Sequence, residues 1–113
     1  MTLSIREITR RLNAGLGPTL VAGLAGAKDA RISREWSKHD GPVPGPAEAK
    51  QLAFAYEQWR RVVEVEGEQV ARLWFTGGNP WLGDYAPVTA IREDRFKQVN
   101  AAAQALIDDA NHR

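Results

Sequence analysis

The chain has 113 residues, no cysteine, and 15 lysines and arginines against 14 aspartates and glutamates, for a net charge of +1. That length holds one domain, or two small helical lobes sharing a core, and leaves no room for a large enzyme. The missing cysteines exclude a disulfide framework and a thiolate zinc site, and the slight basic excess lies within positions 1–40, with acidic residues just outnumbering basic ones from there on.

The sequence opens without the apolar run of a signal peptide, and no uncharged apolar stretch is long enough to span a bilayer, so a soluble cytoplasmic protein is expected. Ser4 with Glu7 three positions on is a capping box, Leu3 and Ile8 can form a hydrophobic staple, and Leu3, Ile5, Ile8 and Leu12 follow helical spacing. A first helix is expected to end near Asn13–Gly15. Arg6, Arg10 and Arg11 fall mostly off its apolar face, as a solvated face or as part of a nucleic-acid patch.

Gly17-Pro18 starts a second helix, Thr19 to Ala25, small and apolar, with Gly26 as its stop. Lys28-Asp29 turns the chain into a third helix, about Ala30 to Lys38, on which Ile32 and Trp36 face one way. A short helix, a glycine turn and another short helix form the pattern of a helix-turn-helix. Trp36 fits it less well, since the usual second anchor would fall one residue earlier, at Glu35. With Ile32 and Trp36 turned inward, Arg31, Arg34 and Lys38 lie outward with Ser33 and Ser37 beside them. In a major groove the arginines could read guanine, while the serines and Lys38 held phosphates. Glu35 and Asp40 in the same segment weaken the long-range attraction that a DNA binder needs. The competing reading is a helix-turn-helix kept only as a scaffold and dimer-forming lobe.

Positions 40–46 hold three prolines and two glycines, a stiff extended break. The longest helix follows, Pro46 to about Glu66. Leu52, Tyr56, Trp59 and Val63 form its core stripe, widened by Ala49, Ala55 and Val62, with Arg60, Arg61, Glu64 and Glu66 as surface charges. Gly67 interrupts it. A fifth helix runs from Glu68 to Phe75 with Val70, Leu73 and Trp74 inward.

The segment Trp74 to Tyr85 places two tryptophans, a phenylalanine and a tyrosine among three glycines and a proline, a composition that suits neither a solvated linker nor a regular helix. Asn79-Pro80 turns the chain, Gly83 supplies a positive φ, and Pro87 opens a short helix to about Glu93. A last helix, from Asp94 or Arg95 to Ala110, carries Phe96, Val99, Ala103, Leu106 and Ala110 as its stripe. Ala101, Ala102 and Ala105 leave the adjoining flank narrow enough for another helix. The polar tail from Asp108 is expected to fray.

No nucleophile, acid and base form a set. His39 adjoins the proline break and His112 ends the chain, Gly77-Gly78 lacks the Lys-Ser/Thr of a phosphate loop, and no metal-ligand spacing occurs. Asp108-Asp109 reads as a solvated pair. Catalytic residues, a metal and a cofactor are therefore not expected, and the chain is not expected to be an enzyme.

A helix ending in Trp74-Phe75, then Asn79-Pro80-Trp81-Leu82-Gly83, a short spacer, Pro87-Val88 with Ile91-Arg92 and Phe96, and an alanine-rich last helix resembles the toxin-binding domain of Xre/MbcA/ParS-type antitoxins. These are the partners of RES-domain toxins, which degrade NAD. The resemblance is strongest over residues 68–107, and the Xre-like module expected in front accounts for residues 4–66. It implies an all-α chain with an Xre-like helix-turn-helix lobe over 1–66 and a small toxin-binding helical lobe over 67–113. The C-terminal lobe would dock on the toxin and close its NAD site, while the front lobe would form dimers and bind operator DNA to repress its own operon. For docking, Trp81, Leu82 and Tyr85 are the candidate anchors, with Arg92 and Arg95 as a polar rim. Trp81 could equally fold back to seal the core. A helix-turn-helix repressor without a toxin partner, and a small protein-binding adaptor, are the rival readings.

Overall fold

A computed structural model describes residues 2–113. Among them are seven α-helices and one 3-10 turn, with no strand: α1 (Ile5–Leu16), α2 (Pro18–Leu24), α3 (Ile32–Trp36), α4 (Pro46–Glu66), α5 (Glu68–Thr76), the turn Pro80–Leu82, α6 (Pro87–Arg92) and α7 (Phe96–Asn111). None of these helices is long and apolar enough to cross a membrane.

The chain divides into two compact units, one ending at Tyr56 and the other running from Glu57 to Arg113. The division falls inside α4, ten residues ahead of the Glu66/Gly67 break that composition suggests. The reason is that α4 is uninterrupted, and its side chains change neighbours before its backbone ends. Tyr56 accepts a hydrogen bond from Arg11 of α1 at 3.0 Å, whereas Trp59 meets the Phe75 ring of α5 edge-on at 5.8 Å.

In the first unit the serine half of the expected capping box is present: the Ser4 hydroxyl accepts from the Glu7 N–H at 3.1 Å, satisfying one of the donors that a helix start leaves open, while the Glu7 carboxylate pairs with Arg10 and Arg11. Leu12, Val21, Ala22 and Leu24 are fully or almost fully buried, and α1, α2 and α3 each pack against the other two. The third helix differs from expectation. It is a single five-residue segment, and its inward pair is Ser33 and Trp36, with Ile32 half-buried. Serine wins the inward place because it is small and fully bonded. Its hydroxyl donates to the Pro18 carbonyl at 2.6 Å, and its own carbonyl accepts from Asn13 Nδ2 at 2.8 Å. One residue thus ties α3 to both earlier helices.

Arg6 closes the far end of α3. Its guanidinium donates to the carbonyls of Trp36 and Gly41, each at 3.1 Å, and also to that of Lys38; Arg10 adds a longer bond to the Ser37 carbonyl at 3.4 Å. These oxygens sit where a helix runs out of its own donors, so two arginines read from sequence as off-core charge in fact hold a loop. Gly41 permits the fold-back, because a Cβ there would run into the Glu35 carbonyl. Arg6→Ala is expected to cost about 1.5–3 kcal/mol, the usual scale for hydrogen bonds from a charged donor. Urea denaturation measures the loss, and faster amide exchange around residues 37–41 locates it.

In the second unit, Phe75 lies fully buried between Trp59 and Trp74, meeting both rings edge-on. The inward face of α5 is Ala71 and Phe75, one turn apart, rather than Val70, Leu73 and Trp74. Leu73 is 71% exposed, Val70 is exposed and Trp74 is half-buried. The small Ala71 allows close approach while Phe75 fills the space beside Trp59. That rotates the helix away from its largest aliphatic side chain. Arg61, expected as surface charge, bridges α4 to α7 through Asn100 Oδ1 at 2.8 Å and Gln104 Oε1 at 2.5 Å. Arg60 behaves as expected, pairing along the helix with Glu57 and Glu64.

Candidate functional site

The segment between α5 and α6 is a closed loop built on Asn79. The Asn79 Oδ1 accepts from the Trp81 N–H at 2.9 Å, its carbonyl accepts from the N–H groups of Leu82 and Asp84, both at 2.9 Å, and its own N–H donates to the Tyr85 carbonyl at 3.2 Å. Asparagine suits this place, since it caps a helical turn with its side chain while its backbone stays extended. Gly83 at φ 63° and Asp84 at φ 69° then take consecutive left-handed conformations that bring the chain back. Glycine adopts this region without a steric penalty, and aspartate tolerates it better than most residues. Asn79→Ala is expected to lower stability by about 0.5–2 kcal/mol, with Asn79→Asp recovering most of the loss because its carboxylate still accepts. Paired urea melts followed by tryptophan fluorescence would show both.

This geometry sorts the expected anchors. Successive residues of a 3-10 turn point about 120° apart, so Trp81 and Leu82 cannot share a direction. Leu82 is fully buried, and the turn that carries it packs on α7. Leu82 is thus a core residue and not a surface anchor. Trp81 is 63% exposed and Tyr85 55% exposed, so Trp81 does not fold back to seal the core. Leucine at this spacing gives no sequence signal that separates an anchor from a plug.

The rim arginines also part company. Asp94, at φ 61°, makes the tight turn between α6 and α7. The Arg95 guanidinium lies 5.7 Å from the Tyr85 ring centroid, a cation–π arrangement worth about 0.5–1 kcal/mol at exposed sites. Arg95 also donates through Nε to Gln98 at 2.9 Å and sits 3.7 Å from Glu93. Tyr85 and Arg95 therefore form one preset unit, while Arg92 lies exposed at the end of α6.

Trp81 faces a different neighbourhood. An open groove of about 490 Å³ runs between Trp74, Pro80 and Trp81 on one side and Ala105, Leu106 and Asp109 of α7 on the other. A second open stretch of about 590 Å³, which shares Trp81, Ala105 and Asp109 with the first, is lined further by Ala101, Gln104, Asp108 and His112. The narrow alanine flank of α7, read from sequence as room for a helix, receives the 3-10 turn and leaves this groove beside it.

The candidate DNA-reading residues are distributed on and around α3. Ser33 is buried and bonded to Pro18, so it cannot reach a phosphate; this corrects its sequence-based assignment. Arg31 and Arg34 are exposed. Arg31 lies 3.4 Å from Asp29, whose carboxyl is held below its usual range chiefly by the hydrogen bond from the Arg31 backbone N–H. Lys38 Nζ pairs with Glu35 at 2.8 Å, and the Ser37 hydroxyl donates to the Arg34 carbonyl at 2.8 Å. Two of the three cations on this face thus stand beside a carboxylate, one of them Asp29, which sequence reading had assigned only to the turn.

Among the described residues no cluster of three or more histidines, cysteines, aspartates or glutamates is placed to hold a metal ion. Compared with protein-family models, curated proteins and solved structures, the chain matches none.

Proposed function

We propose that this chain is the antitoxin of a type II toxin–antitoxin pair and acts by docking its second unit on a RES-type, NAD-degrading toxin, closing the toxin's NAD site sterically. The observation that carries this reading is the closed Asn79–Tyr85 loop, which fixes two large aromatic side chains in water. Exposed aromatics set beside arginines have the composition of protein-interface anchors. The order of residues from Trp74 to Phe96 carries the resemblance to that family, and the loop geometry is compatible with docking. Trp81 and the Tyr85–Arg95 pair make the contact, with Arg92 at its edge and Leu82 holding the loop from below.

The first unit then serves as an Xre-like helix-turn-helix lobe that forms homodimers and contacts operator DNA through Arg31, Arg34, Ser37 and Lys38, repressing the chain's own operon in the cytoplasm. The Asp29 and Glu35 carboxylates offset the charge of this face, so the contact is expected of the assembled complex rather than of one lobe. In this reading the protein works by binding and has no catalytic step, cofactor or membrane partner.

Co-expression with the neighbouring reading frame, following growth and cellular NAD, tests the proposal. Rescue of both by the intact chain is the expected result. A harmless neighbour, or one that this chain does not restrain, removes the toxin partner. A DNA-binding repressor or an adaptor for another protein would then take its place.

A further inference from the structure

The groove beside Trp81 has an unequal charge distribution along its length. Trp74, Pro80, Trp81 and Leu106 make one stretch mostly apolar, with Asp109 as its one charged side chain, and Asp109 also lines the other stretch together with Asp108. Among the described residues, neither stretch is lined by a lysine or arginine. His112 also lines the second stretch, with its ring Nδ1 2.5 Å from the Asp108 carbonyl; Arg113 is turned to Glu66, and the Asp108 carboxylate receives a neutral hydrogen bond from Gln104 Nε2 at 2.9 Å. The two carboxylates also stand in the last turns of α7, a 16-residue helix with no basic residue in its last turn. The helix dipole makes that end partially negative, so carboxylates there are electrostatically unfavourable for the fold. A cation arriving at this end would meet two carboxylates and the helix terminus together, with the Trp81 side chain lining the same stretch.

We propose that this groove receives a segment of a partner protein presenting an arginine or lysine, with its apolar stem on Trp74 and Trp81 and its cation at Asp108 and Asp109. The inference rests on Trp81 being a docking residue, as in the functional reading above, and does not require the partner to be a toxin. Long basic side chains suit the site because they bury an aliphatic stem while keeping the charge at the wet end.

The test uses the full chain and three capped peptides, acetyl-Leu-Leu-X-Leu-amide with X as arginine, its neutral isostere citrulline, or glutamate. Binding is followed by the shift of the Trp81 indole N–H and of the Ala101 and Ala105 amides. The expected result is saturable binding at the groove, with arginine preferred over citrulline by about threefold at low salt, the scale of an exposed ion pair. The preference should shrink as added salt shortens the screening length. The exposed double variant Asp108→Asn/Asp109→Asn should bind both peptides equally while its remaining amide spectrum is unchanged. Equal binding of arginine and citrulline by the unaltered chain, tighter binding of the glutamate peptide, shifts away from the groove, or no saturable binding of any peptide would each overturn the proposal. Arginine preference together with a harmless neighbouring frame would leave the groove inference standing while the toxin reading fails. A restrained toxin together with no peptide preference would do the reverse.

Discussion

Leu82→Ala is expected to lower the unfolding free energy of the second unit by about 2–5 kcal/mol, the range for removing a buried leucine and leaving a cavity behind. Leu82 has no exposed surface, and the 3-10 turn that carries it packs on α7. Truncation would therefore weaken the anchorage of the whole Asn79–Tyr85 loop, not one contact. For a unit this small the loss is a large share of total stability. Thermal or urea unfolding followed by tryptophan emission would measure it. A change under about 0.5 kcal/mol, the ordinary scale for a surface substitution, would place Leu82 outside the core and undo the account of the loop.

Trp81→Ala, one residue away, should behave in the opposite manner. With 63% of its surface in water and its backbone N–H rather than its ring held by Asn79, its loss should change stability by no more than about 0.5 kcal/mol. If Trp81 anchors the proposed interface, binding of the proposed partner should weaken by about 30-fold or more, because truncating a central aromatic anchor costs about 2 kcal/mol or above. Titration calorimetry with the purified neighbouring protein reads the affinity, and co-expression reads the consequence as lost growth rescue and falling NAD. Unaltered affinity with a folded variant would remove Trp81 from the interface. The two neighbouring substitutions thus separate the residue that shapes the loop from the residue the loop presents.

Much of the architecture was legible because its signals are local. Ser4 with Glu7 marked the start of α1, Pro46 and Gly67 bracketed α4, and Asn79-Pro80 with Gly83 announced the turn, each by a backbone preference contained within a few residues. What escaped depends on partners distant in sequence. Leu73 looks like a core residue by type and spacing, yet Ala71 and Phe75 take the inward face because of what Trp59 offers them. Ser33 looks like a surface hydroxyl, yet Pro18 and Asn13 make it a buried junction. The candidate site was legible as a region but not as an arrangement. Aromatic, glycine and proline content located it, whereas the 3-10 geometry that sends Leu82 inward and Trp81 outward appears only once the turn is built. The Tyr85–Arg95 pair needed the left-handed turn at Asp94, where the sequence marks a helix boundary but not the conformation that closes it.

The unbroken run of α4 bears on how the molecule can be taken apart. Gly67 is the obvious place to cut by composition, and a fragment beginning there would retain Phe75 but lose Trp59 from beside it, together with the Arg61 bridge to Asn100 and Gln104. A fragment ending there would carry the apolar Trp59 and Val62 into solvent without the ring that Trp59 meets. The two units are therefore not interchangeable cassettes that can be spliced at the glycine. A chimera that carries the second unit onto another first unit has to import the helix from Glu57 onward, because those ten residues before Gly67 belong to the second unit's packing.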